Sequence, residues 1–140
     1  MAENHPETSI VVFEKAPFWG PELQRQFQQT GVTVRECRSV KDLIPSVMDT
    51  EQPLLVIDLT ASLEECLQWL ADDFACYPKS TPMIAVGSAE SRELEWLLRE
   101  AGVTVYLPEL IGGEALARIC RRQLDLRIPS PFANATRYRS

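Results

Sequence analysis

The sequence has few of the side chains that metal binding and acid–base catalysis most often require. It contains one histidine, His5, and four cysteines, and no two of the cysteines form a C-x-x-C motif. A single histidine near the N-terminus offers no Ser-His-Asp triad, and scattered cysteines do not provide the clustered ligands of a zinc site. We therefore interpret the cysteines as reduced thiols, most of them in the core.

Phosphate-binding loops and long apolar runs are also absent. Neither G-x-G-x-x-G nor G-x-x-x-x-G-K-[ST] occurs, which argues against dinucleotide and P-loop chemistry. No stretch approaches the roughly 20 apolar residues of a membrane helix. The 20 acidic and 14 basic residues give a net charge of -6, which disfavours binding to nucleic-acid backbones. We expect a cytoplasmic protein with no membrane or nucleic-acid partner.

The sequence does contain a regular alternation of short apolar runs and amphipathic stretches, which is typical of repeated βα units. Its length of 140 residues and its hydrophobic content of 45% fit one domain with a proper core. The predicted strands are Ser9 to Phe13, Thr33 to Cys37, Leu54 to Asp58, Met83 to Val86 and Thr104 to Leu107.

Five helices are predicted from apolar residues at helical spacing. They lie around Trp19 to Phe27, Leu43 to Val47, Leu63 to Phe74, Leu94 to Leu98 and Leu116 to Leu124. Gly31 and Gly102 are predicted to end the first and fourth helices. A capping box of Ser62 with Glu65 is predicted to open the third helix, and Ser91 to open the fourth.

These elements predict a three-layer α/β/α sandwich around a five-stranded parallel sheet, because crossovers between parallel strands are right-handed. We expect a disordered tail over residues 1–8, the folded domain over 9–126 and a flexible basic tail over 127–140.

Asp58 is the candidate functional residue that stands out. It follows the apolar run Leu54 to Ile57, so it is predicted to end a buried parallel strand at the sheet edge where α/β proteins place their chemistry. From the residues alone, Asp58 is either a cap for the following helix, a residual acid without activity, or a working acid.

Five βα units with an acid at the end of the third strand resemble a response-regulator receiver domain, which has a flavodoxin-like fold. The resemblance covers about Ser9 to Leu124 and rests on three segments, 54–59, 82–86 and 102–107. It implies that Asp58 stands at the phosphoacceptor position. It also implies that Tyr106 is the aromatic residue of the fifth strand whose rotation accompanies activation.

The chain departs from the receiver pattern around that acid. The resemblance implies two Mg²⁺-binding acids after the first strand, where this chain has Glu14 followed by Lys15. The hydroxyl residue after the fourth strand falls on Gly87, with Ser88 one position later. The lysine after the fifth strand falls near Glu109, which reverses the charge. A site with these changes is expected to be degenerate, since several stabilisers of phosphoryl transfer are altered together.

The resulting prediction is a pseudo-receiver: not an enzyme, without a cofactor, acting by protein–protein binding. One alternative is a phosphorylatable single-domain regulator that uses Asp58 with Mg²⁺, for which Glu14 and Asp58 are weak metal candidates. Another is a flavodoxin-like protein that binds a small ligand, although the loop after the first strand lacks the glycines and hydroxyls of a phosphate cradle. A further hypothesis pairs Lys15 with Asp58 in a permanent salt bridge.

The expected partner is a protein, including a second copy of the chain in a homodimer. The predicted interaction surface carries aromatic and basic side chains of the last two βα units, which are common anchors of protein interfaces. It consists of Trp96, Tyr106, Arg118, Arg121 and Arg122.

Overall fold

The computed structural model of the chain describes residues 8–49, 52–60, 63–74, 81–108 and 111–127. Its five strands are β1 (Thr8–Phe13), β2 (Thr33–Cys37), β3 (Gln52–Asp58), β4 (Met83–Val86) and β5 (Val105–Leu107). All neighbouring strands are parallel, in the order β2-β1-β3-β4-β5. The predicted sheet is confirmed, with β3 starting two residues earlier than predicted and β5 one residue later.

The five helices are α1 (Trp19–Gln26), α2 (Leu43–Met48), α3 (Leu63–Asp72), α4 (Glu95–Glu100) and α5 (Gly113–Arg127). Short 3₁₀ segments, Val40–Asp42 and Ala89–Leu94, precede α2 and α4. None of the helices in the described ranges is long and apolar enough to cross a membrane. Thr8 lies in β1 and Arg127 in α5, so regular structure extends one residue beyond each predicted end of the domain.

The sheet separates two apolar layers because side chains alternate between its faces. Ile10 and Val12 of β1 pack with the buried faces of α1 and α5. Val11 and Phe13 pack on the opposite side with α2, α3 and α4. The predicted three-layer α/β/α sandwich is therefore confirmed.

The helix ends agree in part with the predicted caps. Gly102 has a φ of 117° and directly follows the last residues of α4, as predicted for a glycine that ends a helix. Gly31 also has a positive φ, 85°, but α1 ends at Gln26. Gly31 therefore serves the turn into β2, and its predicted role at the end of α1 is wrong. Ser62 lies outside the described residues.

The helical segment before α4 is opened by Ser88, not by Ser91 as predicted. Ser88 has an extended backbone, and its hydroxyl accepts a hydrogen bond from the backbone N–H of Glu90 at 3.2 Å. Ser91 is the third residue of this capping box and accepts a hydrogen bond from the Ser88 N–H at 3.0 Å. Both serines thus fix the loop between β4 and α4.

Candidate functional site

Asp58 lies at the carboxyl end of β3, beside Val86 of β4, as predicted. Its Oδ1 atom accepts two hydrogen bonds from one residue, from the Thr60 N–H at 2.9 Å and from the Thr60 hydroxyl at 2.6 Å. This is the geometry of an Asx turn, in which a carboxylate replaces a backbone acceptor. The half-buried side chain of Asp58 therefore stabilises the turn that follows β3.

Glu14 follows β1 and is buried, with 1% of its surface exposed. Its carboxylate accepts three backbone hydrogen bonds, from Phe18 at 3.2 Å, Trp19 at 2.9 Å and Gly20 at 2.9 Å. The first N–H groups of a helix have no partner within the helix, and the helix dipole favours a negative charge there. Glu14 thus caps the beginning of α1.

Arg38 completes the surroundings of Glu14, and the sequence interpretation did not include it. Its Nη1 atom lies 3.8 Å from the Glu14 carboxylate, and its Nη2 atom lies 2.6 Å from that of Glu36. The signal that could have revealed this contact is strand register. Phe13 of β1 pairs with Cys37 of β2, so the residues that follow them, Glu14 and Arg38, are neighbours.

These contacts do not fit the pair of Mg²⁺ ligands that the resemblance to receiver domains implies. Both oxygens of Glu14 accept backbone hydrogen bonds, and a guanidinium stands beside them. Oδ1 of Asp58 is directed to Thr60. Within the described ranges, no group of three or more His, Cys, Asp or Glu residues is arranged to hold a metal ion. Glu109 lies outside those ranges.

Lys15 pairs with α3 rather than with Asp58. Its Nζ atom lies 3.4 Å from the Glu65 carboxylate, and both side chains are about half exposed. An exposed pair of this type stabilises a protein by about 1 kcal/mol at most. The hypothesis of a permanent bridge from Lys15 to Asp58 is therefore replaced by an ion pair between the β1–α1 loop and α3.

Gly87 follows β4 and gives room to two hydroxyl groups. The Tyr106 hydroxyl lies 2.6 Å from Ser91 Oγ and donates a hydrogen bond of 3.4 Å to the Ser88 carbonyl. A Cβ atom at Gly87 would overlap Ser91 Oγ and approach the Tyr106 hydroxyl to 2.8 Å. The lack of a side chain at residue 87 therefore allows Tyr106 to pack beneath the β4–α4 loop.

This packing corrects the predicted interaction surface. Tyr106 is only 5% exposed, because its ring belongs to the apolar layer that includes Leu98 of α4. The composition of β5 did not reveal this, since a tyrosine at a sheet edge can turn either inward or outward. Tyr106 supports α4 from below and is not available for direct contact with a partner.

The arginines of α5 belong to a helix that packs on the opposite face of the sheet from α4. Arg121 donates a hydrogen bond of 3.2 Å to the Gln26 carbonyl, and its guanidinium lies 5.1 Å from the centre of the Phe27 ring. It therefore packs against the end of α1. Arg118 and Arg122 are exposed, but α5 covers the sheet face opposite to α4.

Trp96 is 67% exposed on α4, and the adjacent Leu97 is 39% exposed. Trp96 is therefore accessible to solvent, and its place in an interaction surface stays a prediction. An exposed tryptophan beside an exposed leucine is unusual on a surface without a binding role.

The three described cysteines, Cys37, Cys66 and Cys120, are buried free thiols, as predicted. Burial raises the pKa of Cys66 and of Cys120 to about 12, so both remain protonated at neutral pH.

A groove of about 460 Å³ lies between the end of α1 and α5, lined in part by Phe27, Val32 and Leu124. It also includes Thr8, the first residue of β1, so it lies at the sheet edge opposite to Asp58. A flavodoxin-like ligand at the carboxyl edge would not use this groove.

No family model matches the sequence, and no curated protein matches it. Solved structures do share its fold. The receiver domain of the TMAO respiratory system response regulator TorR superposes with a TM-score of 0.72 at 22% identity, over 87% of this chain and 99% of that one.

Two further structures agree. The chemotaxis response regulator CheY4 of Vibrio cholerae gives a TM-score of 0.67 at 14% identity, covering 82% of this chain and 97% of that one. A two-component response regulator from Clostridium difficile gives 0.67 at 13% identity, with coverages of 84% and 95%. The chain therefore has the receiver-domain fold.

Proposed function

We propose that this chain is a pseudo-receiver: a signalling module that does not turn over phosphoryl groups and that acts by presenting α4 to a protein partner. The observation that carries the proposal is the environment of Glu14. Its carboxylate accepts three backbone hydrogen bonds at the start of α1 and faces Arg38. A divalent ion would have to break these contacts before it could bind there.

The other groups around Asp58 support the same proposal. Phosphoryl transfer depends on positive charge placed against the developing negative charge. Lys15, in the loop that follows β1, is paired with Glu65. Gly87 cannot donate a side-chain hydrogen bond, and the hydroxyl of Ser91 is bonded to Tyr106.

The β4–α4 loop supports a module that does not change state. Tyr106 is held inward by Ser91 and Ser88, and Gly87 leaves the space that this position requires. The hydrogen bonds and the packing stabilise this inward position of Tyr106, so an outward position would require contacts that outweigh them. On this proposal the surface of α4 is presented without a switch.

The test is the intact mass of the protein after incubation with Mg²⁺ and acetyl phosphate, with Asp58→Asn as the control. The proposal predicts no added phosphoryl group in either protein. Addition to the native chain that is absent from Asp58→Asn would instead support a phosphorylatable single-domain regulator, and the pseudo-receiver proposal would be wrong in mechanism.

A further inference from the structure

The exposed surface of α4 has an apolar centre and an acidic rim. Trp96 and Leu97 form the centre. Glu93 lies three and four positions before them, and Glu100 lies four and three positions after them. Residues three or four apart are neighbours on a helical surface, so an acid stands one turn before and one turn after the apolar pair. Glu93 belongs to the 3₁₀ segment that leads into α4, and we call these four residues the α4 face.

The cation next to Glu100, Arg99, is directed away from the acids of the α4 face. Arg99 donates a hydrogen bond of 3.0 Å to Glu95 and one of 3.4 Å to the Thr104 carbonyl. Its charge is thus directed to Glu95 and to the backbone before β5. Glu93 and Glu100 are both exposed, and within the described ranges neither forms an ion pair. Over residues 90–100 four glutamates outnumber two arginines, Arg92 and Arg99, so the surface around Trp96 keeps a net negative charge.

We infer that the α4 face binds a cationic amphipathic helix of another protein. Apolar side chains of the partner would cover Trp96 and Leu97, and lysines or arginines beside them would meet Glu93 and Glu100. This inference rests on the proposed function and names the class of its partner.

A second copy of the chain fits this face less well. Each copy has a net charge of -6, and joining two α4 faces would bring four glutamates together around the tryptophans. Like charges across an interface oppose association. The homodimer that the sequence suggested is therefore not the occupant that we propose for this surface.

The α4 face is also held in place before any partner arrives. Ser91 in the helical segment before α4 is bonded to the Tyr106 hydroxyl at 2.6 Å and accepts a hydrogen bond from the Ser88 N–H at 3.0 Å. At the other end, the Val103 N–H donates to the Leu98 carbonyl at 3.0 Å. A helix fixed at both ends loses little freedom on binding, which favours affinity.

The experiment uses the full chain and two synthetic peptides of about 18 residues, five helical turns. One combines leucine and lysine at helical spacing, and the other carries glutamate in place of each lysine. Trp19 and Trp69 are buried, so the exposed Trp96 provides a fluorescence signal for binding. Calorimetry gives the affinities of variants that lack it. The lysine peptide is expected to bind at least about tenfold more tightly than the glutamate peptide.

Two variants locate the binding. Trp96→Ala is expected to weaken the lysine peptide by about tenfold or more, since an exposed tryptophan at the centre of an interface is a typical hot spot. The double variant Glu93→Gln/Glu100→Gln is expected to weaken it about three- to tenfold at low salt and to reduce the salt dependence. The matched control is Glu64→Gln/Glu114→Gln, which removes the same charge from exposed positions of α3 and α5.

Three results would overturn the inference: equal or absent binding of the two peptides, an equal loss in the glutamate variant and its control, or self-association abolished by Trp96→Ala. None of these depends on phosphoryl uptake. If acetyl phosphate modifies Asp58, the proposed function fails whatever the peptides do. If the protein stays unmodified and the peptides do not discriminate, only the partner class is wrong.

Discussion

Replacing Glu14 by alanine is expected to lower the free energy of unfolding. The sign of this change distinguishes a carboxylate that belongs to a metal site from one that caps a helix. A carboxylate that belongs to an acidic metal site repels its neighbours when no metal is bound, so its removal would raise the free energy of unfolding. A carboxylate that caps a helix stabilises the fold. The three backbone hydrogen bonds to Glu14 favour the second role.

The magnitude follows from the contacts that alanine would remove. Loss of a helix cap costs about 0.5–2 kcal/mol. Backbone N–H groups left buried without an acceptor cost about 1–3 kcal/mol more, and Trp19 and Gly20 are buried. Arg38 retains Glu36 as a partner and is partly exposed, which limits the additional cost. We therefore expect a loss of about 3 kcal/mol for Glu14→Ala and about half of that for Glu14→Gln, which keeps one acceptor oxygen.

The assay is urea unfolding followed by far-UV circular dichroism, at equal protein concentration and without divalent ions. The matched control is Asp58→Asn, which retains the Oδ1 acceptor for Thr60 and is expected to change the unfolding free energy by less than about 1 kcal/mol. An unfolding free energy of Glu14→Ala equal to or above that of the native chain would refute the capping role. It would also remove the main support for the pseudo-receiver proposal.

Two further predictions concern the β4–α4 loop and the buried thiols. Gly87→Ala is expected to lower the free energy of unfolding by about 2 kcal/mol, because the new Cβ overlaps Ser91 Oγ. Ser91→Ala in the same chain should recover part of this loss. A double-mutant cycle in which the two effects simply add would contradict the packing. Burial raises the pKa of Cys66 and of Cys120 from 9.0 to about 12, so the unfolded chain ionises first and the stability should fall as the pH rises above 9.0. Urea midpoints at several pH values test this, and midpoints that stay constant up to pH of about 11 would show that the thiols are not shielded.

The fold was predictable because it depends on the spacing of apolar residues along the chain. Strands buried on both faces read as short apolar runs, and helices between them carry apolar residues every three or four positions. These patterns placed the five strands within two residues of their observed bounds. They also placed Asp58 at the end of β3, since a single acid after an apolar run marks the end of a buried strand.

The arrangement of the candidate site was less predictable because it depends on partners chosen in three dimensions. Glu14 was identified as an acid at the sheet edge, but its contact with the first N–H groups of α1 depends on the loop between them. Tyr106 turns inward because Gly87 leaves room and Ser91 offers a hydroxyl. Arg121 turns to Phe27 because α1 and α5 pack on the same face of the sheet.

At this sheet edge, contacts that stabilise the fold use the same charged groups that phosphoryl chemistry would need. A working phosphoacceptor site keeps its charged groups unpaired so that they can meet a metal ion and a phosphoryl group, which makes the empty site costly for the fold. Here Glu14 is paired with α1 and Arg38, and Lys15 is paired with Glu65. The polar groups at the edge are thus largely satisfied within the fold, whereas Trp96 and Leu97 remain exposed. We therefore expect substitutions at the sheet edge that preserve its internal hydrogen bonds to leave partner binding intact. Substitutions of the exposed Trp96 and Leu97 on α4 are expected to weaken it.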